Sequence, residues 1–338
     1  MADWRPRCSP PGDLVAPVAI DPSGRAGPTR HQARRGRWVR TAFNLYVPAG
    51  TDRTRVEQRI IEQAGRVASD GAVTGWAALR MWGAAFFDGT TNGGPPLLPV
   101  PLVSPHHLSS TDACTASRAA VGDVWTIAGV RVVSPANALH AELVRIRATS
   151  GDDPSRRMVA AIDMACAAPV TSLRRFGGWL EARGQVAHPI RASLSLASEE
   201  AVSPPEVEMR MTWKLDAHWP EPVVNRDVFD LDGRFIGRPD LLDPATGVFG
   251  EYDGAHHRDR ERHRSDVARL ERLQQHGLEG FVIVAGDGPE VQVARMEEAR
   301  KRASRRPAGD RRWTLESAHD RPAPFTADQI LDAWRYPI

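Results

Sequence analysis

The stretch Arg238-Pro-Asp-Leu-Leu-Asp-Pro-Ala-Thr-Gly-Val-Phe-Gly-Glu-Tyr-Asp-Gly254 decides the fold. Pro244, Thr246 and Gly247 mark a turn between two short apolar runs, Leu241-Leu242 and Val248-Phe249, which reads as a β-hairpin. Asp240 lies before the turn and Glu251 after it, so neighbouring strands can bring the two carboxylates side by side. Asp253, two residues beyond Glu251, shares its face because side chains alternate along a strand. Three acids on one sheet face repel one another unless a cation sits among them, and Mg²⁺ or Mn²⁺ suits such hard oxygen donors. Read as plain structure, Asp243 before Pro244 is turn chemistry, and Glu251 with Asp253 is the solvated face of an edge strand.

Outward from this hairpin the sequence gives an ordered set of elements. Ser203-Pro-Pro-Glu206 has the form of a capping box with proline opening a helix, and Val207, Met211 and Leu215 form its apolar stripe. A strand is expected over 223–229. Asp232-Gly233 supplies a tight turn, and Phe235-Ile236 enters the strand that reaches Asp240. A basic helix (262–275) and the strand Phe281–Val284 follow. The order is helix, three-stranded meander, helix, strand, with a helical tail over 288–338.

Upstream, 1–30 is rich in Pro and Gly and reads as irregular. A short basic helix from His31 and a two-strand wing ending at Pro48 come next, then helices over 55–68 and 75–82. The strands Val124–Ile127 and Val130–Val133 meet at Ala128-Gly129. Ser134-Pro135 then starts another helix as N-cap and first helical residue. Three helices fill the connector, 151–200, with Asp163 and Cys166 facing inward.

The chain has 338 residues, enough for two domains, with 41% apolar and 25% charged residues and a net charge of +2. Its three cysteines are far apart and odd in number, which argues against a disulfide framework or a zinc cluster. No apolar run is long enough for a bilayer, and the first residues lack the apolar core of a signal peptide. A soluble, cytoplasmic protein is expected. Lys214 and Lys301 are the only lysines among 44 basic residues. Arginine is dense from Arg258 to Arg312, which suits a polyanion and equally a solvated helix face.

Pro205-Glu206 at a helix start, Gly237-Arg-Pro-Asp240, and Glu251-Tyr-Asp-Gly254 with His257 close behind occur in an order that resembles the PD-(D/E)XK nuclease superfamily. Within it, the chain is most similar to bacterial domains of unknown function related to very-short-patch-repair endonucleases. The likeness spans 203–284. The segment 31–150, with Ala77-Ala-Leu-Arg-Met-Trp-Gly83, more distantly resembles the winged-helix domain of antitoxins from type IV toxin–antitoxin systems. The resemblance implies an α/β protein with a restriction-endonuclease-like domain over 201–287 behind a mostly helical, winged-helix-like N-terminal region. It implies Mg²⁺ or Mn²⁺ held by Asp240, Glu251, Asp253 and Glu206, with His257 near the scissile phosphate and Arg258, Arg264 and Arg269 on the DNA backbone. Glu206 as a capping partner and His257 as a surface residue are the structural alternatives. The superfamily's lysine, two residues after the second sheet acid, is replaced by Asp253, and Lys214 is its only nearby substitute. The expected function is metal-dependent hydrolysis of DNA in repair or defence. The alternative is a non-catalytic DNA-binding regulator, with or without a toxin or repair partner, that uses a silent nuclease fold as scaffold.

Overall fold

The computed structural model describes residues 13–91, 94–151, 154–254, 260–317 and 325–333, with the backbone alone at 94–95, 260–267 and 308. The protein is mixed α/β and divides into two compact units. One comprises Met1–Ala197 together with Thr326–Ile338; the other is Ser198–Phe325. Among the described residues no helix is long and apolar enough to cross a membrane.

The first unit opens with β1 (Val18–Ala19), a 3₁₀ turn over Gln32–Arg34, and the hairpin β2 (Trp38–Ala42) and β3 (Leu45–Pro48). The expected hairpin is present, but the basic helix before it shrinks to that single turn. These strands form a sheet in the order β1-β3-β2. Then come α1 (Val56–Ala64), β4 (Ala72–Val73), α2 (Gly75–Met81) and the small pair β5 (Thr90–Thr91) and β6 (Gly94–Leu97). Strands β7 (Val100–Val103), β8 (Cys114–Ser117), β9 (Val124–Ile127) and β10 (Val130–Val133) join β4 in a mixed sheet, order β8-β7-β4-β10-β9. Helices α3 (Pro135–Thr149), α4 (Ser155–Ala167), α5 (Leu173–Arg183) and α6 (His188–Leu196) complete the run. Ser134 caps α3, its hydroxyl accepting from the Asn137 amide at 3.4 Å. Asp163 is fully buried, as its helical phase requires.

The second unit begins with α7 (Pro204–Met211), which widens into a π-turn over Thr212–Asp216. The segment 223–229, read as one strand, splits in two. Strand β11 (Val223–Val224) joins β14 (Leu241–Leu242), β15 (Val248–Asp253) and β16 (Glu279–Val284) in the order β11-β14-β15-β16. Strand β12 (Val228–Asp230) pairs instead with β13 (Phe235–Gly237) and with β17 (Trp313–Thr314). The break falls at Asn225, whose φ of 49° is left-handed. Such backbone cannot continue a strand, and asparagine is among the residues that tolerate it best. The three-stranded meander is therefore distributed over two sheets.

Helix α8 (Arg260–Gln275) connects the parallel strands β15 and β16, and α9 (Pro289–Ser304) follows. The β15–β16 register is set by a reciprocal fit. Phe249 stands opposite Gly280, and Gly250 stands opposite Phe281. A Cβ on either glycine would lie 2.5 Å from the facing phenylalanine ring, so each ring occupies the space that the missing side chain leaves. Val228, Ile236, Leu242, Phe249, Leu273, Leu278 and Trp313 form a buried core in this unit. Trp313 comes from the segment read as a tail. The last helix, α10 (Ala327–Ala333), belongs to the first unit, where Asp328 accepts a hydrogen bond from Ser172 and pairs with Arg174.

Candidate functional site

Glu206 is the third residue of α7 and only 7% exposed. Its Oε1 accepts from the Ser203 hydroxyl at 2.7 Å; its Oε2 accepts from the Val202 amide at 3.1 Å and from Asn225 Nδ2 at 2.9 Å. This is a variant of the expected capping box, because Ser203 donates to the glutamate rather than capping the helix through its hydroxyl. Pro204 and Pro205 bring no N–H to the first turn, which leaves the Glu206 N–H as the first-turn donor a serine oxygen could take.

Asp240 lies immediately before β14. Leu241 pairs with Gly250, so Asp240 falls one step further along, opposite Glu251. Its Oδ2 accepts from the Tyr252 amide at 2.7 Å, the one side-chain hydrogen bond of Asp240 among the described residues. Its carbonyl accepts from the Asn225 amide at 3.0 Å. Burial, with the charge of Glu206 adding to it, pushes the Asp240 carboxyl up from 3.8 to about 6. The Tyr252 N–H and the Arg269 guanidinium oppose that rise without cancelling it.

Glu251, in the middle of β15, is 6% exposed and takes a hydrogen bond and ion pair from Arg269 Nη2 at 2.8 Å. Arg269, expected on the DNA backbone, comes from α8 and is committed to this carboxylate; its side chain is about one-third exposed. Asp253 ends β15, half-buried, on the face that strand alternation assigns to Glu251. Lys214 forms an ion pair with Glu221. His257 and Arg258 lie outside the described residues, as does the side chain of Arg264, whose backbone belongs to α8.

The structure thus ties Glu206, Asp240, Glu251 and Arg269 into one electrostatic neighbourhood. Two members were not legible beforehand. Asn225 links the others, its amide on Asp240 and its side chain on Glu206 and on the Glu200 carbonyl. The Tyr252 amide is the donor that holds Asp240. An asparagine inside an apparent strand, a residue type that tolerates left-handed backbone, was the available signal for the first; a backbone donor leaves no mark in a sequence.

Among the described residues no three Asp, Glu, His or Cys side chains stand together as a ready-made metal cluster. In donor chemistry the fit to a hard divalent cation rests on Asp240, a shielded carboxylate whose nearest charge includes another carboxylate and whose negative charge is under-compensated. The chain matches no family model, no curated protein and no solved structure.

Proposed function

We propose that the second unit is a restriction-endonuclease-like module that hydrolyses phosphodiester bonds of DNA with the help of Mg²⁺ or Mn²⁺. The observation that carries this reading is the state of Asp240. The Tyr252 amide gives this aspartate a structural partner, but it does not offset the cost of a half-buried carboxylate beside a buried glutamate. A cation-binding site accounts for that arrangement, because the charge the protein leaves uncompensated is the charge the ion meets. The arrangement of a helix carboxylate (Glu206), an aspartate before one strand (Asp240) and a glutamate on the next (Glu251) supports the same conclusion.

Asp240, Glu251 and Glu206 would hold the ion, with Asp253 at the open end of β15 as a further donor. The bound cation would supply a water of lowered pKa and a Lewis acid for a phosphate oxygen. The chain's own residues do the positioning. Asn225 and Ser203 fix the Glu206 carboxylate, the Tyr252 amide orients Asp240, and Arg269 fixes Glu251 while moderating the local negative charge.

A second reading has one observation in its favour. The Arg269–Glu251 pair supplies from within the protein a positive charge that a metal would otherwise bring, as a silent scaffold in a DNA-binding regulator would. Nicking of supercoiled plasmid and of mismatched duplex, with Mg²⁺ or Mn²⁺ and with chelator, separates the two. Metal-dependent cleavage lost in both Asp240→Ala and Glu251→Ala is the expected result. No cleavage of either substrate, together with no heat of metal binding by calorimetry, would leave the scaffold reading.

A further inference from the structure

The β2–β3 hairpin of the first unit, with the segment that leads into it, carries a feature that the acidic site does not explain. From Pro22 to Thr51 the sequence holds six arginines, at 25, 30, 34, 35, 37 and 40, and no Asp or Glu. All six are exposed, and among the described residues none takes part in an ion pair. Other arginines of this unit do find a carboxylate: Arg53, Arg55, Arg80 and Arg145 each sit on one. Holding so many like charges in one segment with no ion-pair partner among the described residues is unfavourable in the protein alone, and it fits a polyanion.

The hairpin tip adds a second, independent observation. Phe43 is 88% exposed, on a two-residue loop closed by Asn44 at φ 57°. The Arg40 guanidinium lies 5.7 Å from the Phe43 ring centroid, held there as its Nε donates to the Ala42 carbonyl at 3.0 Å. Below the tip, Arg40 stands opposite Tyr46, and Trp38 lies two residues before Arg40, so strand alternation puts all three on one face. Val39 and Val47 point to the other face, where Val47 is fully buried. The outward face therefore sets Arg40 beside the Trp38 and Tyr46 rings, and the hairpin ends in a ring with one side braced by that guanidinium.

We propose that this hairpin is a nucleic-acid contact in which the arginines hold the sugar–phosphate backbone and Phe43 stacks on an unpaired base. Stacking on an aromatic ring tolerates any base, whereas wedging the same ring into intact duplex first requires unstacking it, so accessible bases are favoured. An anionic lipid surface fits less well. One exposed phenylalanine with half-buried neighbours offers little apolar area for insertion, and the arginines spread along the element rather than rimming an apolar face. The inference concerns a surface of the first unit and stands or falls separately from the nuclease reading of the second.

The test is fluorescence anisotropy of the full chain, with chelator present, on a labelled twenty-nucleotide oligothymidylate and on a duplex of the same length, with phosphatidylserine vesicles as a third probe. Phe43→Ala is expected to weaken single-strand binding about tenfold and duplex binding much less, while Phe43→Trp retains both. Because Phe43 is exposed, unchanged melting of these variants separates lost contact from lost fold. Replacing Arg34, Arg35 and Arg37 with glutamine should lower the slope of log affinity against log salt by about 2. Wild-type single-strand affinity in Phe43→Ala would overturn the proposal. So would vesicle binding that depends on Phe43 in a protein that does not bind the oligonucleotide.

Discussion

In Asp240→Asn the side chain keeps its shape and an oxygen able to accept the Tyr252 amide, and it loses its charge. The native carboxyl holds its proton up to about pH 6, against 3.8 for an unperturbed aspartate. Between those values the folded protein binds more protons than the unfolded chain, so stability falls as pH rises through the window. Above about pH 6 the cost of keeping Asp240 ionised is fully present, of order 3 kcal/mol from the size of the shift. The asparagine variant escapes that cost. In chelator at pH 8 it should be more stable than wild type by up to about 3 kcal/mol, or about 10 °C in the melting transition of a unit this size. The gain should shrink steadily toward pH 4.5, where the wild-type carboxyl is already neutral. Scanning calorimetry of both proteins between pH 4.5 and 8 gives the answer directly. A variant less stable than wild type at pH 8, or a difference that does not change with pH, would refute the argument that Asp240 is an under-compensated buried charge. Under the metal reading, adding Mg²⁺ at pH 8 raises the wild-type transition and leaves the variant's nearly unmoved.

Three further outcomes follow from the same neighbourhood. Arg269→Gln leaves Glu251 buried without the guanidinium at 2.8 Å, and should destabilise the second unit by about 2 kcal/mol at pH 8, measured by urea unfolding. Asn225→Ala removes the Nδ2 contact to Glu206 and places a Cβ without a polar side chain at φ 49°, costing about 2 kcal/mol. Asn225→Gly, which relieves only the backbone, should recover about half of that in the same assay.

Much of the local structure was legible because it depends on neighbours in sequence. The Ala128-Gly129 turn between β9 and β10, the Ser134-Pro135 start of α3 and the Pro244–Gly247 turn between β14 and β15 each involve residues a few positions apart. Their signals are backbone propensities and caps that act over that range. Helical periodicity likewise placed α4 through α6 and buried Asp163 and Cys166.

The acids of the site were legible as residue types, but their environment was not. Nothing in the sequence indicated that Arg269, 18 residues from Glu251, would meet it, or that Asn225 would join Asp240 to Glu206. Those links depend on the register of β15 against β16 and on the turn at Asn225, which sends the two ends of one apolar run into different sheets. The C-terminal segment was legible as helices but not in its allegiance. Trp313 pairs through β17 with β12 and enters the second unit's core, whereas α10 belongs to the first unit. Pairing between distant strands is decided by which apolar surfaces can be buried together and which backbone groups then find partners. Both are properties of the assembled fold rather than of any short stretch of chain.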